Sequence, residues 1–213
     1  MLGLLIILLM VTSIRWINPV SSSVMLQQNL VSIYYKQPLV KYHWVDWDDI
    51  SLQMPLAVVA SEDQRFPIHH GIDFTELKNA ISQGGRRGAS TITQQVAKNM
   101  FLWQGRSYLR KAIEATLALY IDLVWGKRRV LEIYLNVAYF GGNLYGIGAA
   151  SEIFFNKNPA EINRYEAARL AAVLPNPRKF SASNASAFTL QRQNWILDQM
   201  KHLGGTSYIN KLH

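Results

Sequence analysis

Two adjacent carboxylates, Glu62 and Asp63, follow the apolar run Leu56–Ala60 in the stretch ASEDQRFPIHHGIDF, which also holds Phe66, His69, Gly71 and Asp73. Burial disfavours the charged form of a carboxylic acid, and a carboxyl group at the end of a buried element can so be brought into the range useful to a general base. A solvated helix end would carry the same residues. Asp73 reads better as the N-cap of the next helix, and His69 as a hydrogen-bonded structural residue.

A second group lies in RRGASTITQQVAKN: Gly88, Ser90, Thr91, Thr93, Gln94, Gln95, Lys98 and Asn99. Ser90 suits an N-cap, and the free N–H groups of a helix start attract anions. On a helix Ser90–Phe101, Gln95 and Lys98 share a face, one supplying directional hydrogen bonds and the other a point charge. A polar face turned to water explains the same pattern. The third group is Arg110, Lys111 and Glu114, with Asp122 two turns on. Arg110 and Glu114 are spaced as a surface ion pair worth about 0.5 kcal/mol or less. Alternatively, Arg110 and Lys111 clamp a phosphate beside Glu114, which would project from the edge of the core.

These groups need helices to hold them. From Leu52 onward most segments carry helical spacing and few alternate as strands do. The clearest is Ser107–Trp125, where Leu109, Ile113, Leu117, Tyr120 and Val124 form one apolar stripe and Gly126 would close the helix. Other helices are expected at Leu56–Asp63, Asp73–Ser82, Ser90–Phe101, Arg129–Asn136, Ile147–Phe155, Ala160–Leu174 and Ala187–Leu203. The basic, glycine-rich segment 83–88 reads as a mobile loop, and Gly141–Gly148 as a second. No repeat or low-complexity tract is present.

The chain has 213 residues, 49% hydrophobic and 17% charged, enough for one substantial core. It has no cysteine, which excludes disulfides, thiolate metal sites and a cysteine nucleophile. Its net charge is +8, and residues 86–129 alone hold nine basic residues against Glu114 and Asp122. Such a concentration implies a polyanionic partner or a solvated basic face. Residues 1–14 are almost wholly apolar and end on Arg15 and Trp16. The run is short of the roughly 20 residues a membrane span needs, so residues 1–17 are expected to be a transmembrane anchor truncated at its start. Residues 18–45 read as a connector and 46–213 as the catalytic domain.

Five stretches now stand in one order: EDQRFPIHHGID, GASTITQQVAKN, RKAIE, KRRVLEIYLNVAYFG with YGIGAA, and EAARLAAVLPNP. In this combination the chain, from about Asp46 to its end, resembles the peptidoglycan glycosyltransferases, most closely their monofunctional, membrane-anchored biosynthetic members. Asp122 departs from the pattern, since close relatives often carry Glu there; the charge is kept. The resemblance implies an all-α, predominantly helical, lysozyme-like catalytic domain behind an N-terminal transmembrane helix. It implies Glu62 as general base, with Glu114 assisting near a pyrophosphate. Lys98, Arg110 and Lys111 match phosphate-contacting positions and Gln95 falls in the same cleft. Ser90, Thr91 and Asp63 join them as candidate substrate-contacting groups. Asn136 and Gly141–Gly148 match a mainly structural motif.

The implied reaction polymerises lipid II, an undecaprenyl-pyrophosphoryl disaccharide-pentapeptide, into β-1,4-linked glycan strands with inversion. A sugar hydroxyl takes the place that water has in an inverting glycosidase. Pyrophosphate leaves as a stable anion and needs neutralising more than protonating. A divalent cation, magnesium or manganese, bridging it is the one cofactor this chemistry admits, and no dedicated ligand set is visible. Expected partners are lipid II, the growing glycan chain, membrane lipid and cell-division or cell-wall-synthesis proteins, with no nucleic acid. The expected location is the bacterial inner membrane, single-pass, with the catalytic domain in the periplasm. Two other readings stay open: a lysozyme-like lytic glycosidase sharing Glu62, and a membrane-tethered polyanion-binding module.

Overall fold

A computed structural model describes residues 2–82, 84, 90–105 and 107–212. The chain is mostly helical: α1 Leu2–Ser13, α2 Ser23–Tyr34, α3 Gln53–Glu62, α4 Phe74–Ser82, α5 Ile92–Phe101, α6 Tyr108–Val124, α7 Lys127–Val137, α8 Gly146–Phe155, α9 Arg164–Val173 and α10 Ala187–His202. Short 3-10 turns lie at Trp47–Asp49, Pro159–Glu161 and Gly205–Lys211. The segment 83–88, read above as a loop, lies outside the described residues apart from Gly84, as do Arg86, Arg87 and Arg106 of the basic stretch.

The core is built around α3, whose residues Met54 to Ala60 are all buried. It packs on α9 and α10, while α5 lies against α6 and α7. An all-round apolar helix can exist only with neighbours on every side, and this one ends where Glu62 reaches the surface. Asn136, 0% exposed, pairs with both backbone groups of Val45 at 2.8 Å, fastening the segment before α3 to α7.

Several expectations need correcting. Thr91, not Ser90, caps α5, in a capping box with Gln94. Gly126 does not close α6; it is the N-cap residue of α7, at φ −72°. The expected helix Ala160–Leu174 is broken, because Asn163 accepts from the N–H groups of Tyr165 and Glu166 and starts α9 afresh. The stretch Gly141–Gly148 is a tight hairpin of β1 Tyr139–Gly141 and β2 Leu144–Tyr145 running into α8, not an open loop. At Gly146, φ is +77° and a Cβ would fall 2.6 Å from the Asn136 carbonyl oxygen, so only glycine fits. The stripe of α6 is displaced: Leu109 is exposed, and the buried residues are Glu114, Leu117, Ala118 and Ile121.

Residues 18–45 are not a bare connector. Ser22 caps α2, Met25 is buried, and Gln27 bonds the Leu102 carbonyl and the Gln104 N–H. The apolar start of the chain forms α1, of 12 residues, about 18 Å at 1.5 Å per residue. Among the described residues no helix is long and apolar enough to cross a membrane. Val11 and Ile14 belong to the core. Trp125 Nε1 donates to the Val11 carbonyl at 2.9 Å, Thr12 bonds Tyr120 at 2.8 Å, and Arg129 holds the carbonyls of Ile14 and Ile17.

Candidate active site

The last turn of α3 presents Ser61 and Glu62. The Glu62 side chain is 14% exposed, and each oxygen has a donor: Ser61 Oγ to Oε1 at 3.2 Å and Gln95 Nε2 to Oε2 at 3.1 Å. Gln95 is held in turn by the Tyr134 hydroxyl, which donates to its Oε1 at 3.3 Å. Burial, reinforced by the negative charges of Glu62 and Asp63, pushes the Tyr134 phenol far above its ordinary range. It is therefore a permanent donor.

Asp63, adjacent in sequence, points the other way because the chain leaves the helix there, at φ −160° and ψ 72°. Its carboxylate accepts from His69 Nε2 at 2.9 and 3.0 Å and from the Ile92 N–H at 3.0 Å. That N–H opens α5, so a carboxylate sits at a helix N-terminus, a favourable place for negative charge. Asp63, expected among the substrate contacts, lines the recess beside Glu62, and its carboxylate, 4% exposed, is engaged by His69 and the Ile92 N–H, where it fixes α5 and hence Gln95. Thr91 does similar work, its hydroxyl donating to the Gly71 carbonyl at 2.6 Å. Asp73 caps α4 through the N–H groups of Thr75 and Glu76.

The second half of the site is the start of α6. Glu114 is 3% exposed, not at the edge of the core, and is bridged by Arg110 Nη1 at 3.1 Å and by Lys111 Nζ. Lys111 also donates to Ser90 Oγ at 3.0 Å, which is the place Ser90 takes in the site. Lys98, from α5, has its ammonium pushed below the ordinary lysine range, first by burial. The nearby Arg110 and Lys111 add to that, whereas Glu114 and Glu62 oppose it. Arg110 and Lys111 each have a carboxylate partner; among the described residues Lys98 has none.

Two recesses adjoin here. One, of about 700 Å³, is walled by Ser61, Glu62, Ser90, Gln95, Arg192 and Trp195 among others. The other, of about 530 Å³, is walled by Lys98, Arg110, Trp103, Tyr139, Tyr145 and Arg178 among others. Gln95 and Pro175 line both. Sequence reasoning missed Tyr134, Arg178, Arg192 and Trp195. The pair Arg192 and Trp195, three apart on one helix, was the only local signal available.

The basic stretch does not form one cluster. Lys127 bonds Asp122 and the His69 carbonyl; Arg128 pairs with Asp48; Arg129 pairs with Glu132 and lies over Trp44. Of the described basic residues in 86–129, only Lys98, Arg110 and Lys111 are at the site. Nor do the residues fit a protein-held metal. Among the described residues no three His, Asp or Glu side chains gather around a common point, and both Glu114 oxygens are engaged by cations.

The sequence profile described as Transglycosylase matches residues 29–201. A protein of Pseudomonas entomophila called biosynthetic peptidoglycan transglycosylase is 45% identical over 204 residues, 93% of this chain and 86% of its own length. Proteins of the same name are 44% identical in Xylella fastidiosa, over 95% of this chain and 86% of theirs, and 42% identical in Chromohalobacter salexigens, over 99% and 91%. With this agreement over nearly its whole length, and with the expected motifs gathered at one groove, the chain belongs to the transglycosylase family.

Proposed function

We propose that the chain is a peptidoglycan glycosyltransferase that polymerises lipid II into β-1,4-linked strands for the bacterial cell wall, releasing undecaprenyl pyrophosphate. The observation that carries this reading is the pair of adjoining recesses, one presenting Glu62 and the other Lys98 and Arg110, with Gln95 common to both. Glu62 takes the proton of the acceptor N-acetylglucosamine 4-hydroxyl as that oxygen attacks C1 of the donor N-acetylmuramic acid. The C1–O bond to pyrophosphate breaks, and its electron pair leaves with the pyrophosphate. Lys98, Arg110 and Lys111 neutralise that anion. Glu114, buried between two of these cations, holds them in place.

The acceptor approaches from the Glu62 side and the leaving group departs on the other, as inversion requires. Membrane attachment at the periplasmic face is part of the same proposal. It is supported by Ile6, Ile7, Leu9 and Met10, all exposed on α1, and by a substrate with a lipid tail. Purified lipid II is the test. The chain should yield long strands, and Glu62→Gln should yield none while keeping its fold. Near-normal polymer from Glu62→Gln would sink the assignment of the base, and degradation of finished wall without synthesis would favour a lytic glycosidase.

A further inference from the structure

Arg192 stands on α10, about 130 positions from the first motif, in a part of the chain to which no role was given. Its Nη2 donates to Ser61 Oγ at 3.1 Å and lies 3.7 Å from Glu62 Oε1. A serine hydroxyl has one proton, so Ser61 accepts from Arg192 and gives that proton to Glu62. The guanidinium is itself steadied by the Trp195 ring, 5.8 Å from its carbon to the ring centre. Its Nε is buried without a partner among the described residues. A cation kept at that cost, one bond from the carboxylate that faces the groove, has a geometric task.

We propose that Arg192 is a positioning residue for Glu62, acting through Ser61. The proposal rests on Glu62 being the base. Each Glu62 oxygen has one fixed donor, Ser61 on one and Gln95 on the other, so the plane of the carboxylate is set from both sides. A lone pair remains on each oxygen for the acceptor hydroxyl. Without Arg192 the Ser61 hydroxyl is free to rotate, and the carboxylate is aimed from the Gln95 side alone. Orientation of a base counts in the transition state more than in substrate binding, so the loss falls on kcat.

The experiment measures kcat and KM separately with purified lipid II for Arg192→Gln, Arg192→Lys, Ser61→Ala and the double variant Arg192→Gln with Ser61→Ala. Melting curves are recorded for all four. Loss of one charge-assisted hydrogen bond should lower kcat about tenfold in Arg192→Gln, with KM within about twofold. Arg192→Lys should recover part of it, and added guanidinium at non-denaturing concentration should partly rescue Arg192→Gln. The double variant should be no slower than the slower single one, because both act through one chain of bonds. Wild-type kcat in Arg192→Gln, a raised KM with intact kcat, or multiplying losses in the double variant would each overturn the proposal. If Arg192→Gln fails to fold, a wild-type kcat in a folded Arg192→Lys without response to Ser61→Ala overturns it equally. Normal polymer from Glu62→Gln would instead remove the reading beneath it.

Discussion

Asp63→Asn separates two accounts of one carboxylate. In the structure both oxygens face inward, toward His69 Nε2 and the first N–H of α5. An amide has one accepting oxygen and one donating nitrogen, so either the imidazole N–H or the helix N–H must meet another donor. A charge-assisted hydrogen bond is worth about 1.5–3 kcal/mol, and a buried donor left without an acceptor costs about 1–3 kcal/mol. The favourable interaction of a carboxylate with a helix N-terminus, about 0.3–1 kcal/mol, is lost as well. These contributions overlap, and the expected destabilisation is about 3 kcal/mol. For a chain of this size that is a fall in Tm of about 6–12 °C, since 1 kcal/mol moves it by about 2–4 °C.

Thermal melting followed by circular dichroism is the first assay, and strand synthesis from lipid II well below the lowered Tm is the second. Because Asp63 fixes the start of α5, kcat should also fall as Gln95 loses its place beside Glu62. A Tm within about 1 °C of wild type would refute the inward role. An unchanged Tm with a raised KM would return Asp63 to the substrate contacts that the sequence suggests.

Tyr134→Phe removes only the hydroxyl that holds Gln95, and should lower kcat about two- to tenfold with Tm nearly unchanged, as measured by turnover and melting on the same preparation. Lys98 loses its proton below the ordinary lysine range, chiefly because it is buried, so its cation disappears as pH rises. The KM for lipid II should therefore climb on the alkaline side, and in Lys98→Arg, which stays charged, that climb should vanish from the pH profile. Arg110→Ala should lower Tm more than Lys111→Ala, because the Arg110 side chain is 11% exposed and that of Lys111 is 47% exposed; equal Tm values would contradict the burial argument.

What the sequence revealed of this site depended on how local the cause was. The helix around Glu114 was visible from its apolar period, and the structure adds Ser107 as its N-cap. The position of Glu62 was visible because the apolar run before it is long enough to be buried on every side. The opposite orientations of Glu62 and Asp63 were not, since they depend on one backbone turn at the helix end. Glu114 looked like an edge residue because it adjoins Ile113 of the expected apolar stripe, whereas it is buried, with Arg110 and Lys111 compensating its charge. The charge count pointed to residues 86–129 as one basic cluster, but Lys127, Arg128 and Arg129 have structural partners elsewhere. Arg192 and Trp195 reach the site only because α10 packs against α3, a contact no local pattern announces.

The attachment of α1 ties the start of the chain to the helix that carries Arg110, Lys111 and Glu114. The C-terminal half of α6 receives α1 through Tyr120 and the carbonyl of Val124, which Arg15 grips, and Trp125 just beyond adds another hold. The first turn of the same helix carries Arg110, Lys111 and, one turn on, Glu114. At 17 residues α6 is about 26 Å long, with the leading helix held at one end and the Arg110, Lys111 and Glu114 cluster at the other. The two ends of α6 thus join the start of the chain to the Arg110, Lys111 and Glu114 cluster through one continuous helix. Trimming the chain to begin after residue 17 would uncover Trp125 and remove Val11 and Ile14 from the core, so the first helix is a packed part of the domain and not a detachable handle.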